Sequence, residues 1–290
     1  MIQGSYVALI TPFREGEVDY AALEKLVDWH VEQGTDGLVP CGTTGESPTL
    51  SMAEHERVIE AVVKHAAGRI PVMAGTGANS TAEAIELTSF ARKIGADSSL
   101  QVSPYYNKPE PEGMYRHFKA ISEAAGLPMV LYNIPSRTGR EIALETILRL
   151  AEDKNVVGVK AAAGSTDRVT EIVRKTDLVV LSGDDSMTLP FMVVGGKGVI
   201  SVAANIIPAD VKAMVDRFLN GDAKGAQELH LKMFDVFKML FIETNPIPIK
   251  AAMHRLGLIE DGGMRLPMYP PTEEHRARIE TVMRGYGLLK

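Results

Sequence analysis

The chain has 290 residues, 45% hydrophobic and 23% charged, with a formal net charge of -6; it has apolar content for a large core and sits just above the usual size of one α/β barrel. The acidic balance leaves no basic stripe with interleaved aromatics, which argues against nucleic acid or an anionic membrane as a partner. The stretch MIQGSYVALITPF lacks the basic start and cleavage site of an export signal, no apolar run approaches the ~18 residues of a membrane span, and one cysteine, Cys41, rules out an internal disulfide framework. A soluble, cytoplasmic protein is expected.

In chain order, SYVALI (5–10), GLVP (37–40), PVMAG (71–75), SLQVS (99–103), PMVLYN (128–133), VVGVK (156–160), LVVLS (178–182) and GVISV (198–202) have strand length and strand composition, and most precede a helical pattern. The first helix places Leu23, Leu26, Val27 and Val31 on one face and stops at Gly34; the second does the same with Val58, Ile59, Val62 and Val63. SMAE (Ser51, Glu54) and STAE (Ser80, Glu83) read as capping boxes, in which the serine oxygen and the glutamate carboxylate satisfy free N–H groups of the first turn. Eight βα units with nearly continuous apolar strands predict a (β/α)8 barrel over residues 1–220. From about Asn220 only helical patterns remain, punctuated by NGD, NPIP and RLPMYPP, so residues 221–290 are expected to form a small C-terminal helical appendage.

In such a barrel chemistry belongs at the carboxyl ends of the strands. The residues there are CGTTGES, SPYYNKP, YNIPSRTG, GVKAAAG, SGDD and AAN. All seven histidines instead fall in helical segments, so neither a histidine-ligated metal nor a histidine base is expected, and His30 reads as a core residue. Lys160 ends an apolar strand. If carried inward it loses solvation, which lowers its pKa and leaves a neutral amine able to attack a carbonyl; the same position equally fits a lysine facing solvent. Tyr132, ending the neighbouring strand, favours the inward reading, because a phenol beside a Schiff-base lysine can shuttle protons. Its ordinary pKa near ~10 calls for a relay, for which Thr43 with Tyr105 or Tyr106 are available. Each tyrosine also fits a core position.

Arg137 offers a planar fork for a carboxylate, or an ordinary surface ion pair. Barrels that grip phosphate do so after strands seven and eight, where Asp184 and Asp185 would repel it, so an unphosphorylated substrate is expected. Cys41 reads as a small buried residue and not as a nucleophile. Gly42 and Gly45 let the backbone approach a small ligand.

Together GTTGES, AGTGANST, PYYNKP, YNIPSRTG, GVK, SGDD and NPIPIK resemble the dihydrodipicolinate synthase family of pyruvate-dependent class I aldolases, over almost the whole chain. The resemblance implies that Lys160 forms a Schiff base with pyruvate, that Tyr132 gives and takes protons, and that Thr43 and Tyr106 complete the relay without a cofactor or metal. It implies Thr44, Gly183 and the backbone at Ile200 as the pyruvate site, and Arg137 as the receptor for the carboxylate of L-aspartate 4-semialdehyde. It further implies a homotetramer, a dimer of dimers whose tight pairs exchange Tyr106, and an inhibitory L-lysine cleft at Ser47, Pro48, His55, Asn79, Glu83 and Tyr105. After Lys160 the family commonly continues EAT, whereas this chain has Ala161, Ala162 and Ala163, losing a carboxylate and a hydroxyl next to the nucleophile. Two other readings stay open at this level: a related aldolase for a sugar acid or N-acetylneuraminate-like substrate, and a catalytically silent barrel that binds keto acids or lysine.

Overall fold

A computed structural model describes residues 2–290. All eight expected strands form, as β1 (Gly4–Ala8), β2 (Gly37–Val39), β3 (Met73–Gly75), β4 (Ser98–Val102), β5 (Met129–Asn133), β6 (Val156–Ala161), β7 (Val179–Ser182) and β8 (Gly198–Ser201). They pair in parallel in the order β2-β1-β8-β7-β6-β5-β4-β3, and a bridge between Leu38 and Val72 joins the two ends into a closed barrel. Closure removes both sheet edges.

Alternation along each strand sorts side chains into two layers. Tyr6, Ala8, Val39, Met73, Leu100, Val130, Tyr132, Leu181 and Ile200 fill the barrel interior. Their neighbours in sequence, such as Met129, Leu131, Val159, Ala161 and Val180, face outward onto the helices. The barrel helices are α1 (Tyr20–Glu32), α2 (Met52–Ala66), α3 (Thr81–Lys93), α4 (Pro111–Ala125), α5 (Leu144–Leu150), α6 (Thr166–Lys175), α7 (Thr188–Val193) and α8 (Pro208–Leu219). The C-terminal helices are α9 (Ala223–Met239), α10 (Ile247–Arg255) and α11 (Glu273–Tyr286). Met233, Phe237, Met253 and Met283 from these last helices pack in one cluster with Val7, Val27, Val58 and Met214.

The predicted faces hold. Leu23, Leu26 and Val27 are buried on α1, and Val58, Ile59 and Val62 on α2. His30 is a core residue as read: its Nδ1 lies 2.9 Å from the Thr35 hydroxyl, and burial drives its pKa down to about 3. The Ser51–Glu54 capping box is complete, whereas the Ser80 box is only half made. The Ser80 hydroxyl accepts from Glu83 N at 3.4 Å, but the Glu83 carboxylate does not return to the Ser80 N–H, so it is left free for another partner. One element went unpredicted: an antiparallel pair, Phe13–Arg14 with Glu17–Val18, turning on Glu15 and Gly16, both at positive φ.

Candidate active site

Lys160 sits near the carboxyl end of β6 and points into the barrel, 6% exposed. In the β5–β6 register it pairs with Tyr132, so both side chains emerge on the inner face, and the Lys160 Nζ lies 4.1 Å from the centre of the Tyr132 ring. Burial is the largest influence on the amine; with Arg137 adding to it and Asp185 opposing, the pKa falls to about 7. A large fraction of neutral amine is then present at neutral pH. Burial pushes the Tyr132 phenol up to about 12, against the pull of Arg137 and of a hydrogen bond from Thr43. The phenol therefore enters any reaction protonated and needs a relay to give up its proton.

Space beside the lysine is set by Gly183. A Cβ there would lie 3.0 Å from Lys160 Cε and 2.8 Å from Ala162 Cβ. Of the three alanines after or beside the lysine, Ala161 faces outward among Leu131, Val159 and Ile172, and Ala162 faces the interior. A longer side chain at position 161 would thus point outward toward the helices, away from Lys160.

Thr43 and Tyr132 share the lining of a cavity of about 30 Å³ with Cys41, Gly42, Ser47, Gly75 and Leu100. The Cys41 thiol is buried, donates to the His55 carbonyl at 3.7 Å and has its pKa raised by burial, which fits an inert residue. Thr44 is buried, and its hydroxyl accepts from Asn245 Nδ2 at 3.0 Å; its own hydrogen remains to donate. Ile200 packs inside the barrel and pairs with Tyr6. Arg137 occupies a helical turn (Pro135–Thr138), exposed at the rim, and donates through Nη2 to the Asn245 carbonyl at 3.0 Å.

Asp185 has a sharper part than the repulsive charge read from the sequence. Its carboxylate accepts from Val202 N at 3.1 Å, Ala203 N at 3.2 Å and the Ser201 hydroxyl at 2.5 Å. Those N–H groups follow β8, where barrels commonly seat a phosphate. The anion position is filled from within. Burial, reinforced by Asp184, raises the Asp185 pKa to about 6 despite these bonds.

Tyr106 is not brought to Thr43 and Tyr132 by its own chain: it is 91% exposed, at φ 68°. Tyr105 beside it is half-buried, and its carbonyl accepts from Asn79 Nδ2 at 3.2 Å. Glu83 lies close enough to add to the burial that raises the Tyr105 pKa. His55 is buried with Nε2 2.7 Å from the Gly75 carbonyl, Ser47 is half-buried and Pro48 exposed. Asn245 and the buried pair Glu46–Lys250, 2.7 Å apart, lie within NPIPIK and GTTGES, but no role for them follows from the sequence, since their partners lie about two hundred residues away.

A closed (β/α)8 barrel with a desolvated lysine facing a phenol at the carboxyl ends of its strands defines a barrel enzyme of the Schiff-base lyase class. The chain belongs to the dihydrodipicolinate synthetase family, which it matches over residues 1–285. It is 53% identical, over the full length of both chains, to 4-hydroxy-tetrahydrodipicolinate synthase of Persephonella marina. Its fold superposes with a TM-score of 0.98 on the crystal structure of dihydrodipicolinate synthase from Aquifex aeolicus, 51% identical with 99% of each chain covered. The chloride-inhibited enzyme from Acinetobacter baumannii complexed with pyruvate is similar at a TM-score of 0.97 and 47% identity, with both chains covered in full.

Proposed function

We propose that the protein condenses pyruvate with L-aspartate 4-semialdehyde, the reaction of 4-hydroxy-tetrahydrodipicolinate synthase on the diaminopimelate route to L-lysine. The observation that carries this reading is the buried Lys160 amine, its pKa lowered to about 7, lying over the Tyr132 ring. The neutral amine attacks the pyruvate ketone, water leaves, and an imine forms on Lys160. Loss of a proton from the pyruvate methyl gives an enamine, whose carbon attacks the aldehyde. The amino group of the aldehyde substrate then displaces Lys160 and closes the ring. Each step moves a proton at the imine carbon's neighbours, which is the part given to Tyr132.

Thr44, with its hydrogen free to donate, and the backbone at Ile200 hold the pyruvate carboxylate beside the space left by Gly183. Arg137 at the rim receives the carboxylate of the aldehyde. Thr43 passes the Tyr132 proton outward to Tyr106 of a second copy. That exchange suits a side chain so exposed in its own chain. A dimer of dimers is favoured by two further exposed apolar groups, Leu266 with Tyr269, and Leu231 with Phe234 on one face of α9. Residues 1–220 act as the catalytic barrel and 221–290 as its helical appendage. Work in the cytoplasm fits a lone cysteine held as a buried free thiol; among the described residues no helix is long and apolar enough to cross a membrane.

The test is a turnover assay with pyruvate in which L-aspartate 4-semialdehyde competes against N-acetylmannosamine and sugar-acid aldehydes. Preference for a sugar-derived aldehyde overturns the assignment.

A further inference from the structure

The turn that carries Thr43 and Thr44 is closed by its own backbone through Gly45 N to the Gly42 carbonyl and Glu46 N to the Thr43 carbonyl. Glu46 ends it at φ 54°, a left-handed conformation that a residue with a Cβ adopts reluctantly. That conformation sends a carboxylate into the protein. Its Oε1 accepts from Lys250 Nζ at 2.7 Å and its Oε2 from Arg265 N at 3.1 Å. Lys250, fully buried on α10, also donates to the Thr11 carbonyl at 3.1 Å, and the Thr11 hydroxyl donates to the Gly45 carbonyl at 2.6 Å. Asn245 holds Thr44 from the same side. The Arg265 side chain chelates Glu54 at the start of α2 and donates to the carbonyls of Gly16 and Thr49. Of these bonds to the turn, the three from Asn245, Lys250 and Arg265 come from beyond residue 240 and the fourth from Thr11.

A buried ion pair is a weak device for stability, since well-packed apolar residues of similar volume commonly serve as well. It does fix geometry, because each partner has one place where its charge is satisfied. We propose that the Glu46–Lys250 pair, with Asn245 and Arg265 beside it, is a positioning device by which the C-terminal segment holds the Thr43–Thr44 turn in its working geometry; this rests on the reading of that turn as part of the catalytic site. Lys250 is a positioning residue and touches no substrate.

The experiment compares the parent with the double variant Glu46→Gln/Lys250→Met, which removes both buried charges. Thermal stability should stay close to the parent's, while kcat falls about 10- to 100-fold, the scale on which small misplacements act, and the KM for pyruvate rises. Borohydride trapping of pyruvate on Lys160 should persist at a reduced rate. Parental kcat in the folded double variant overturns the proposal, as does a loss of kcat that tracks unfolding alone. A parent with no condensation activity and no trapping instead overturns the catalytic reading. Should the double variant not fold, Asn245→Ala, which removes the side-chain bond to Thr44, takes its place: kcat down severalfold at unchanged melting temperature supports the proposal, and unchanged kcat overturns it.

Discussion

Lys160 and Tyr132 face each other across adjacent parallel strands, Nζ to ring centre 4.1 Å, because the β5–β6 register pairs them directly. The contact is built into the register of the sheet. A lysine with a pKa near 7 is a cation below that pH and a nucleophile above it. Reduction by borohydride in the presence of pyruvate should therefore inactivate the enzyme and leave a reduced pyruvyl group on Lys160. The initial rate of imine formation should climb as pH rises through about 7 and level off above. Labelling of another lysine, or a rate still climbing steeply at pH 9, counts against the assignment.

The Tyr132 phenol, pushed up to about 12, keeps its proton unless a chain of hydroxyls can accept it. Tyr132→Phe and Thr43→Val should each cut turnover by roughly 100- to 10,000-fold, as removal of positioned proton carriers does, with melting temperature little changed. Tyr106→Phe should do the same although this tyrosine stands away from its own site. A mixed oligomer assembled from Tyr106→Phe and Lys160→Ala chains should regain part of the activity, and failure to regain any would separate Tyr106 from the relay.

Arg137 is fixed through its bond to the Asn245 carbonyl while its remaining guanidinium N–H groups stay exposed at the rim. Arg137→Ala should raise the KM for L-aspartate 4-semialdehyde well above its effect on the KM for pyruvate. Unaltered kinetics with this aldehyde, joined to better turnover of another, would transfer the enzyme to the sugar-acid aldolases.

Gly183 has no Cβ to spare room for. One methyl at that position would stand 3.0 Å from Lys160 Cε and 2.8 Å from Ala162 Cβ, closer than side-chain carbons normally approach. Gly183→Ala should displace the lysine and lower kcat at least tenfold, on the argument that reacting groups tolerate little misplacement, with circular dichroism unchanged. The pairing Gly183→Ala/Ala162→Gly relieves one of the two contacts and should recover part of the loss.

Most of the barrel was legible because each strand is a short apolar run bounded by Gly, Pro or Asn, and period-two alternation then decides which side chains point in. Lys160 and Tyr132 could be read for the same reason: each ends such a run. The pair Phe13–Arg14 and Glu17–Val18 escaped because two residues have no periodicity. Glu46, Asn245 and Lys250 escaped for another reason. Their partners are distant in sequence, NPIPIK marks the family and a break between helices without showing what its side chains meet, and burial of Lys250 follows only from the way α10 returns to the first strand's end. Asp185 was seen as a charge, but its bonds to Val202 and Ala203 depend on β7 lying beside β8, which is a property of the closed sheet.

The cleft implied for L-lysine is held by the same turns. Glu83 was open to two readings, and the half-made cap at Ser80 favours a role beyond starting α3, since its carboxylate is not spent on the Ser80 N–H while its charge is felt at Tyr105. Asn79 ties to the Tyr105 carbonyl, and Asn107 Nδ2 donates to the Asn79 carbonyl at 2.8 Å, so an amino acid bound among these groups would be felt at Tyr106, the next residue. A carboxylate suits the ammonium of lysine, and the amide of Asn79 its carboxylate end. His55 is less suited than the sequence implied, because burial lowers its pKa and Nε2 is engaged with Gly75. L-lysine at millimolar concentration should lower the initial rate, and Glu83→Ala should shift the half-inhibiting concentration upward at least tenfold, measured against that variant's own uninhibited rate. Absence of inhibition, or inhibition that the substitution leaves unmoved, removes this cleft from the regulation of the enzyme.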